Sequence, residues 1–232
     1  MKKIILITGG SKGIGKATAQ KLNQNEDYIV VTCSKTEPIF CDVRHYDHVK
    51  SMIDFVMKRY GRIDVLINCA GILGPMGRLE DHDINDWKDT VDVNLMGTVN
   101  CVHQVIPIMK KQEYGRIITF CGGGVGGDDI PIGFSAYNTS KFAIAGFTEV
   151  IAKELDFFDI TINAVSPGAV DTEMARQRWV KGGSPDKVIE LIEYLITTNK
   201  HINGKFLSAK WDNYKDESFE NKNLFTLRRV TK

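Results

Sequence analysis

The sequence predicts a single α/β domain, a doubly wound parallel sheet flanked by helices. Three observations carry this reading. Short apolar runs alternate with segments of helical period, a glycine-rich turn follows the first run, and the composition is that of a chain able to bury a core. The 232 residues are 43% hydrophobic and 25% charged, with Lys+Arg 30 against Asp+Glu 29. A chain of this length buries roughly 70% or more of its unfolded surface, so neither disulfides nor a structural metal is required. Near-zero net charge leaves no electrostatic footprint for nucleic acid, and Arg228, Arg229 and Lys232 read as a solvated basic end. Cys33, Cys41, Cys69, Cys101 and Cys121 are odd in number and lack a CxxC pair, which fits reduced, buried thiols and a cytoplasmic protein.

Taken in order, Ile4–Ile7, Ile29–Val31, Val65–Asn68, Arg116–Phe120, Thr161–Val165 and Lys205–Ser208 read as buried strands. The first of these stops at Thr8-Gly9-Gly10, too short for a signal peptide's apolar region or a membrane span. Helical patterns occupy Ile14–Asn23, Val49–Tyr60, Ile84–Lys111, Tyr137–Phe157 and Ser184–Asn199. Repetition of strand and helix implies right-handed crossovers in one sheet. One unit breaks the rhythm: Cys33 to Asp42, with Pro38, is too short for a crossover helix, so a compressed turn should replace it and open the adenosine pocket. Residues 1–211 read as the domain, with 212–232 as its extension.

The first strand runs into Thr8-Gly9-Gly10-Ser11-Lys12-Gly13-Ile14-Gly15, after which a helix begins. In that setting glycines let the backbone approach a pyrophosphate, while free N–H groups and the positive helix end face its charge. This is the arrangement of a Rossmann-like dinucleotide site. An acid at the end of the second strand would bind the ribose hydroxyls of NAD(H) and repel a 2′-phosphate. The chain has Val31-Thr32-Cys33-Ser34-Lys35 there and no acid before Glu37. Ser34, Lys35 and Lys12 therefore favour NADP(H), with NAD(H) as the alternative.

Tyr137 and Lys141 stand four residues apart, on one helix face. A phenol titrates near 10; a lysine cation and an oxidised nicotinamide would stabilise phenolate and make it a usable proton carrier. Alone, this spacing is weak evidence. Together with the glycine turn, Asp42-Val43, Asn68-Cys69-Ala70-Gly71, Asn94 in Val93-Asn94-Leu95-Met96-Gly97, and Ser166-Pro167-Gly168-Ala169-Val170-Asp171-Thr172, the chain resembles the short-chain dehydrogenase/reductase family over roughly residues 3 to 211. The resemblance implies Tyr137 as general acid/base, Lys141 as its electrostatic partner and ribose ligand, and Asn94 as holder of a relay water. It further implies cofactor contacts at Gly9, Ser11, Lys12, Gly13, Ile14, Gly15, Asp42, Val43, Asn68, Ala70, Gly71, Pro167, Gly168, Val170 and Thr172, and a homodimer or homotetramer built through the long helices.

One departure stands out. The family's catalytic serine falls at Gly122 in strand register, or at Gly123 or Gly124 counting back from Tyr137. Loss of one donor to a developing oxyanion costs roughly 10²–10³ in rate. Backbone N–H groups of the glycine loop, Cys121 or Ser135 are candidate replacements. Arg176, Arg178 and Lys181, beyond the Pro-Gly segment, are candidates for holding an anionic substrate. Phe219, Leu224, Phe225 and Leu227 would cover the cleft or a neighbouring subunit. The histidines are scattered, and no metal site is expected. The expected activity is interconversion of a small-molecule carbonyl and its alcohol, without nucleic-acid or membrane partners. The alternative is a cofactor-binding sensor or assembly subunit with little turnover.

Overall fold

The computed structural model describes residues 1–122, 124–125, 130–177, 181–210 and 212–214. Gly123, Gly126, Gly127, Arg178, Trp211 and the apolar residues expected to act in the tail lie outside them. Six strands form one parallel sheet in the order β2-β1-β3-β4-β5-β6. They are β1 (Lys3–Thr8), β2 (Tyr28–Cys33), β3 (Val65–Asn68), β4 (Gly115–Phe120), β5 (Ile160–Ser166) and β6 (Phe206–Ser208). The order reverses after β2, so β1 and β3 lie at the switch point, where the carboxyl ends of the strands leave a crevice.

Alternation along β1 explains the two-sided build. Ile4 and Leu6 enter one core with α2 (Tyr46–Tyr60), through Val49, Met52, Ile53 and Val56, and with α4 (Gly97–Lys111). Ile5 and Ile7 point the other way, to a core with Val188, Leu191, Ile192 and Leu195 of α7 (Asp186–Thr197). Helix α1 (Gly13–Leu22) covers that second face, sending Leu22 into it. Full burial of each such aliphatic side chain stabilises by about 1.5–3 kcal/mol, so both faces of the sheet are held. Tyr214 extends the second core, its ring 5.3 Å from that of Tyr194.

The missing crossover helix is replaced as expected. Ser34 N–H donates to Ile39 O at 3.3 Å and Cys41 N–H to Ser34 O at 2.9 Å, closing a turn at the end of β2. Ser34 Oγ accepts the N–H groups of Thr36 and Glu37, both at 3.0 Å, and so pins that turn.

The long pattern Ile84–Lys111 is one rod with a defect. Helix α3 (Ile84–Val91) passes through a π-helical turn, Asp92–Met96, into α4. A π turn inserts an extra residue and re-aims the side chain at its centre. Here the centre is Asn94, fully buried. Periodicity alone does not reveal it, because the apolar stripe continues on either side. Two helices complete the site side: α5 (Ser135–Glu154), which starts two residues before Tyr137, and the short α6 (Glu173–Gln177).

Candidate active site

The glycine turn joins β1 to α1 under tight steric limits. Gly9, at φ 70, donates its N–H to Cys33 O at 2.9 Å, and a Cβ there would lie 2.8 Å from Ala70 backbone atoms. A Cβ on Gly15 would lie 2.4 Å from Gly9 O. Helix α1 then begins with no side-chain cap and no acid in its first turn, which leaves its N-terminal N–H groups to an anion. Asn68, 3% exposed at the end of β3, has no hydrogen-bond partner for either amide atom among the described residues. A buried amide with nothing to bond, beside a glycine cradle and an uncapped helix end, fits a dinucleotide with polar edges.

At the adenosine end, Lys35 is exposed and Ser34 is committed to its turn. The same turn returns Glu37 to β2, where its Oε2 accepts from Thr32 Oγ1 at 3.1 Å; Thr32 in turn packs on Gly10. Sequence order hid this, since Glu37 is four residues past the strand. Asp42 is bonded by the Arg44 guanidinium, which also reaches Asp89, and this pairing pulls the Asp42 carboxyl down to about 2. Val43 packs on Gly97, whose Cβ would come within 2.4 Å of it. Lys12 reaches over the turn to Glu173 Oε2 at 2.7 Å, an exposed pair tying α6 to the glycine loop.

Tyr137 lies in the first turn of α5, and Lys141 Nζ sits one turn on, 5.5 Å from the Tyr137 ring centroid. Lys141 is buried and donates to Phe120 O at 2.9 Å. Burial pushes its pKa below the usual lysine value. The nearby thiols of Cys69 and Cys121 are pushed up to about 12 by the same desolvation and remain neutral. Asn94 Nδ2 donates to Ile72 O and Ser140 Oγ, both at 3.0 Å, and its Oδ1 accepts from Ile72 N–H at 2.8 Å. The π turn thereby ties the segment following Gly71 to the turn of α5 that lies between Tyr137 and Lys141. A Cβ on Gly71 would lie 3.1 Å from Asn94 Oδ1 and 3.7 Å from Lys141 Nζ, so the chain passes here as glycine.

These parts surround a cleft of about 260 Å³ whose walls include Ile14, Gly122, Tyr137, Ser166, Thr172 and Met174. Pro167, Gly168 and Val170 of the Pro-Gly segment also line it, and Thr172 sits over Gly13. A hollow of about 410 Å³ around Arg44, His45, Tyr46, Asp89 and Asn100 carries the Arg44 ion pairs and lies apart from Tyr137. Of the predicted anion-binding cations, Arg176 and Lys181 do not join the cleft wall. Arg176 pairs with Asp171 at 3.1 Å, Lys181 is exposed, and Arg178 lies outside the described residues. Ser135 accepts from Trp87 Nε1 at 3.1 Å. Among the described residues no group of three His, Cys, Asp or Glu side chains is placed to hold a metal, and no helix is long and apolar enough to cross a membrane.

The sequence profile of the short chain dehydrogenases matches residues 3–181. The short-chain reductase protein NovJ of Streptomyces niveus is 35% identical over 207 residues, which cover 81% of this chain and 77% of that protein. Among solved structures, ElxO with NADP bound superposes with a TM-score of 0.80 at 29% identity, covering 96% of this chain and all of that one. An NAD+-bound xylitol dehydrogenase gives 0.81 at 25% identity, covering 89% of this chain and 96% of that one. A match over more than half its length, on the fold and the cleft just described, establishes that the chain belongs to the short-chain dehydrogenase family.

Proposed function

We propose that this oxidoreductase interconverts a small-molecule carbonyl and its alcohol with NADP(H), using Tyr137 as general acid/base. The observation that carries the reading is the Tyr137–Lys141 pair, 5.5 Å from ring to ammonium, with Tyr137 on the wall of the cleft that also holds Ile14 of the glycine turn. The nicotinamide supplies or accepts the hydride when bound. Gly9, Ser11, Gly13, Ile14 and Gly15 hold the pyrophosphate, Asn68, Ala70 and Gly71 flank the cofactor, Asp42 and Val43 border the adenine, and Pro167, Gly168, Val170 and Thr172 hold the nicotinamide end.

Tyr137 passes a proton to the carbonyl oxygen in reduction and takes it from the alcohol in oxidation. The Lys141 charge steadies the phenolate left behind and reaches the nicotinamide ribose. Asn94 acts through position: its side-chain amide is spent on Ile72 and Ser140, and its backbone carbonyl, which accepts Thr98 Oγ1 at 2.8 Å, is the group assigned to the relay water. Lys35 and Lys12 support NADP(H), whereas Glu37 on Thr32 favours ribose hydroxyls, so the preference rests on two cations against one carboxylate. Cytoplasmic residence and a homodimer or homotetramer complete the proposal.

Loss of NADPH absorbance against ketones, aldehydes, keto acids and keto sugars tests it, with NADH run in parallel. Turnover of at least one carbonyl, faster with NADPH, is expected. Tight NADPH binding with no turnover across the panel would favour a cofactor-binding sensor, and a higher affinity for NADH would overturn the NADP(H) preference.

A further inference from the structure

The donor opposite Tyr137 is unassigned, because Gly122 and Gly124, at φ 131 and 91, end β4 without a hydroxyl. Strand β5 offers one. Phe120 is in register with Val165, and Cys121 N–H donates to Val165 O at 3.0 Å, so Ser166 stands on the next rung beside Cys121 and Gly122. Side chains alternate along a strand, and Ala164, two residues earlier, packs with Cys121 and Ile144 on the α5 face. Ser166 shares that face. It is 9% exposed, borders the Tyr137 cleft, and its Oγ lies 3.8 Å from where a Cβ on Gly122 would stand.

Among the described residues this hydroxyl has no side-chain hydrogen bond. Other hydroxyls near the cleft stand elsewhere: Thr172, whose Oγ1 accepts Ala175 N–H at 3.1 Å, sits over Gly13, and Ser135, whose Oγ accepts Trp87 Nε1 at 3.1 Å, starts α5, so neither is on the rung beside Gly122. The Cys121 thiol is buried and a weak donor. The place of Ser166 on the cleft wall lets a ligand oxygen entering the cleft meet a hydroxyl that, among the described residues, has no protein partner to give up.

We propose that Ser166 donates a hydrogen bond to the substrate carbonyl oxygen, from the neighbouring strand, in place of the hydroxyl that Gly122 lacks. The assignment rests on the carbonyl–alcohol reading above. As hydride reaches the carbon and the Tyr137 proton moves to the oxygen, the Ser166 bond strengthens with the growing negative charge; no bond to Ser166 itself forms or breaks.

The full chain carrying Ser166→Ala tests this with a carbonyl that the unaltered protein reduces. Turnover should fall roughly a hundredfold with NADPH affinity unchanged. The complex of NADP+-loaded protein with the same carbonyl, which cannot react, should weaken about tenfold as its hydrogen bond is lost. Ser166→Thr should restore most of the rate, and Ser166→Cys, which keeps the volume with a weaker donor, should fall between and serves if the alanine variant does not fold. Turnover within about threefold of the unaltered protein, or an unreactive complex of unchanged affinity, would overturn the assignment and leave the role to backbone N–H groups. A protein that reduces no carbonyl would fail the functional reading first, and this assignment with it.

Discussion

The two halves of the cleft are built on opposite principles. On the cofactor side, glycines stand where nothing else fits: a Cβ would meet Ala70 backbone at 2.8 Å from Gly9, Thr32 at 2.5 Å from Gly10 and Gly9 O at 2.4 Å from Gly15. On the far side two glycines have room: the nearest atom to a Cβ on Gly122 lies 3.8 Å away, and on Gly183 nothing lies within 4 Å. Close approach of the protein's own backbone and side chains leaves the first half little freedom. At Gly183 that constraint is absent.

The comparison breaks first at its boundary, Lys141. Lys141→Met should lower turnover about a thousandfold, since proton transfer loses its electrostatic partner. It should also raise the melting temperature of the cofactor-free protein by roughly 2–4 °C, about 1 kcal/mol, because a buried charge is removed. The sign follows from protonation. Folding lowers the Lys141 pKa, so the unfolded chain binds the extra proton, and the folded protein gains stability as pH rises from the lowered value toward the ordinary 10.5. That gain should be absent from the methionine variant in a pH series of melting curves.

Within the cofactor half, Gly15→Ala should cost about 2–3 kcal/mol in denaturant unfolding, as overpacking against Gly9 forces the turn apart. At Asp42, Arg44→Ala should remove about 1–2 kcal/mol at neutral pH, most of the depression of its carboxyl from 3.8 to about 2, while the Arg44 backbone N–H and Lys35 keep the rest. That contribution is present above the ordinary carboxylate value and disappears as pH falls from near 4 to about 2, so acid unfolding of the variant and the unaltered protein should converge in that window. On the open side, Gly183→Ala should change stability by no more than about 0.5 kcal/mol, and equal losses at Gly15 and Gly183 would erase the contrast.

The same contrast decides what was legible. Ile4–Ile7 and Val65–Asn68 are apolar runs bounded by turn residues, so the strands and their parallel pairing followed from pattern, as did the absence of a helix between Cys33 and Asp42. Tyr137, Lys141 and the glycine turn were visible because their chemistry depends on spacing within one element. Three features depend on neighbours distant in sequence, and pattern hides them. The π turn at Asn94 is marked by its bonds to Ile72 and Ser140 rather than by a break in periodicity. Glu37 reaches Thr32 through a turn pinned by Ser34, and Ser166 meets Gly122 across a strand pair. Arg176 looked like a substrate ligand from composition, but Asp171, five residues away, takes its guanidinium.

The most direct measurement is NADPH oxidation by Tyr137→Phe beside the unaltered protein, on the same carbonyl, with NADPH binding followed separately. The account predicts unchanged binding and a rate lower by roughly 10²–10⁴, as expected for a lost general acid. A variant that binds NADPH and turns over within about twofold of the unaltered protein would contradict it, and the proton would have to come from elsewhere.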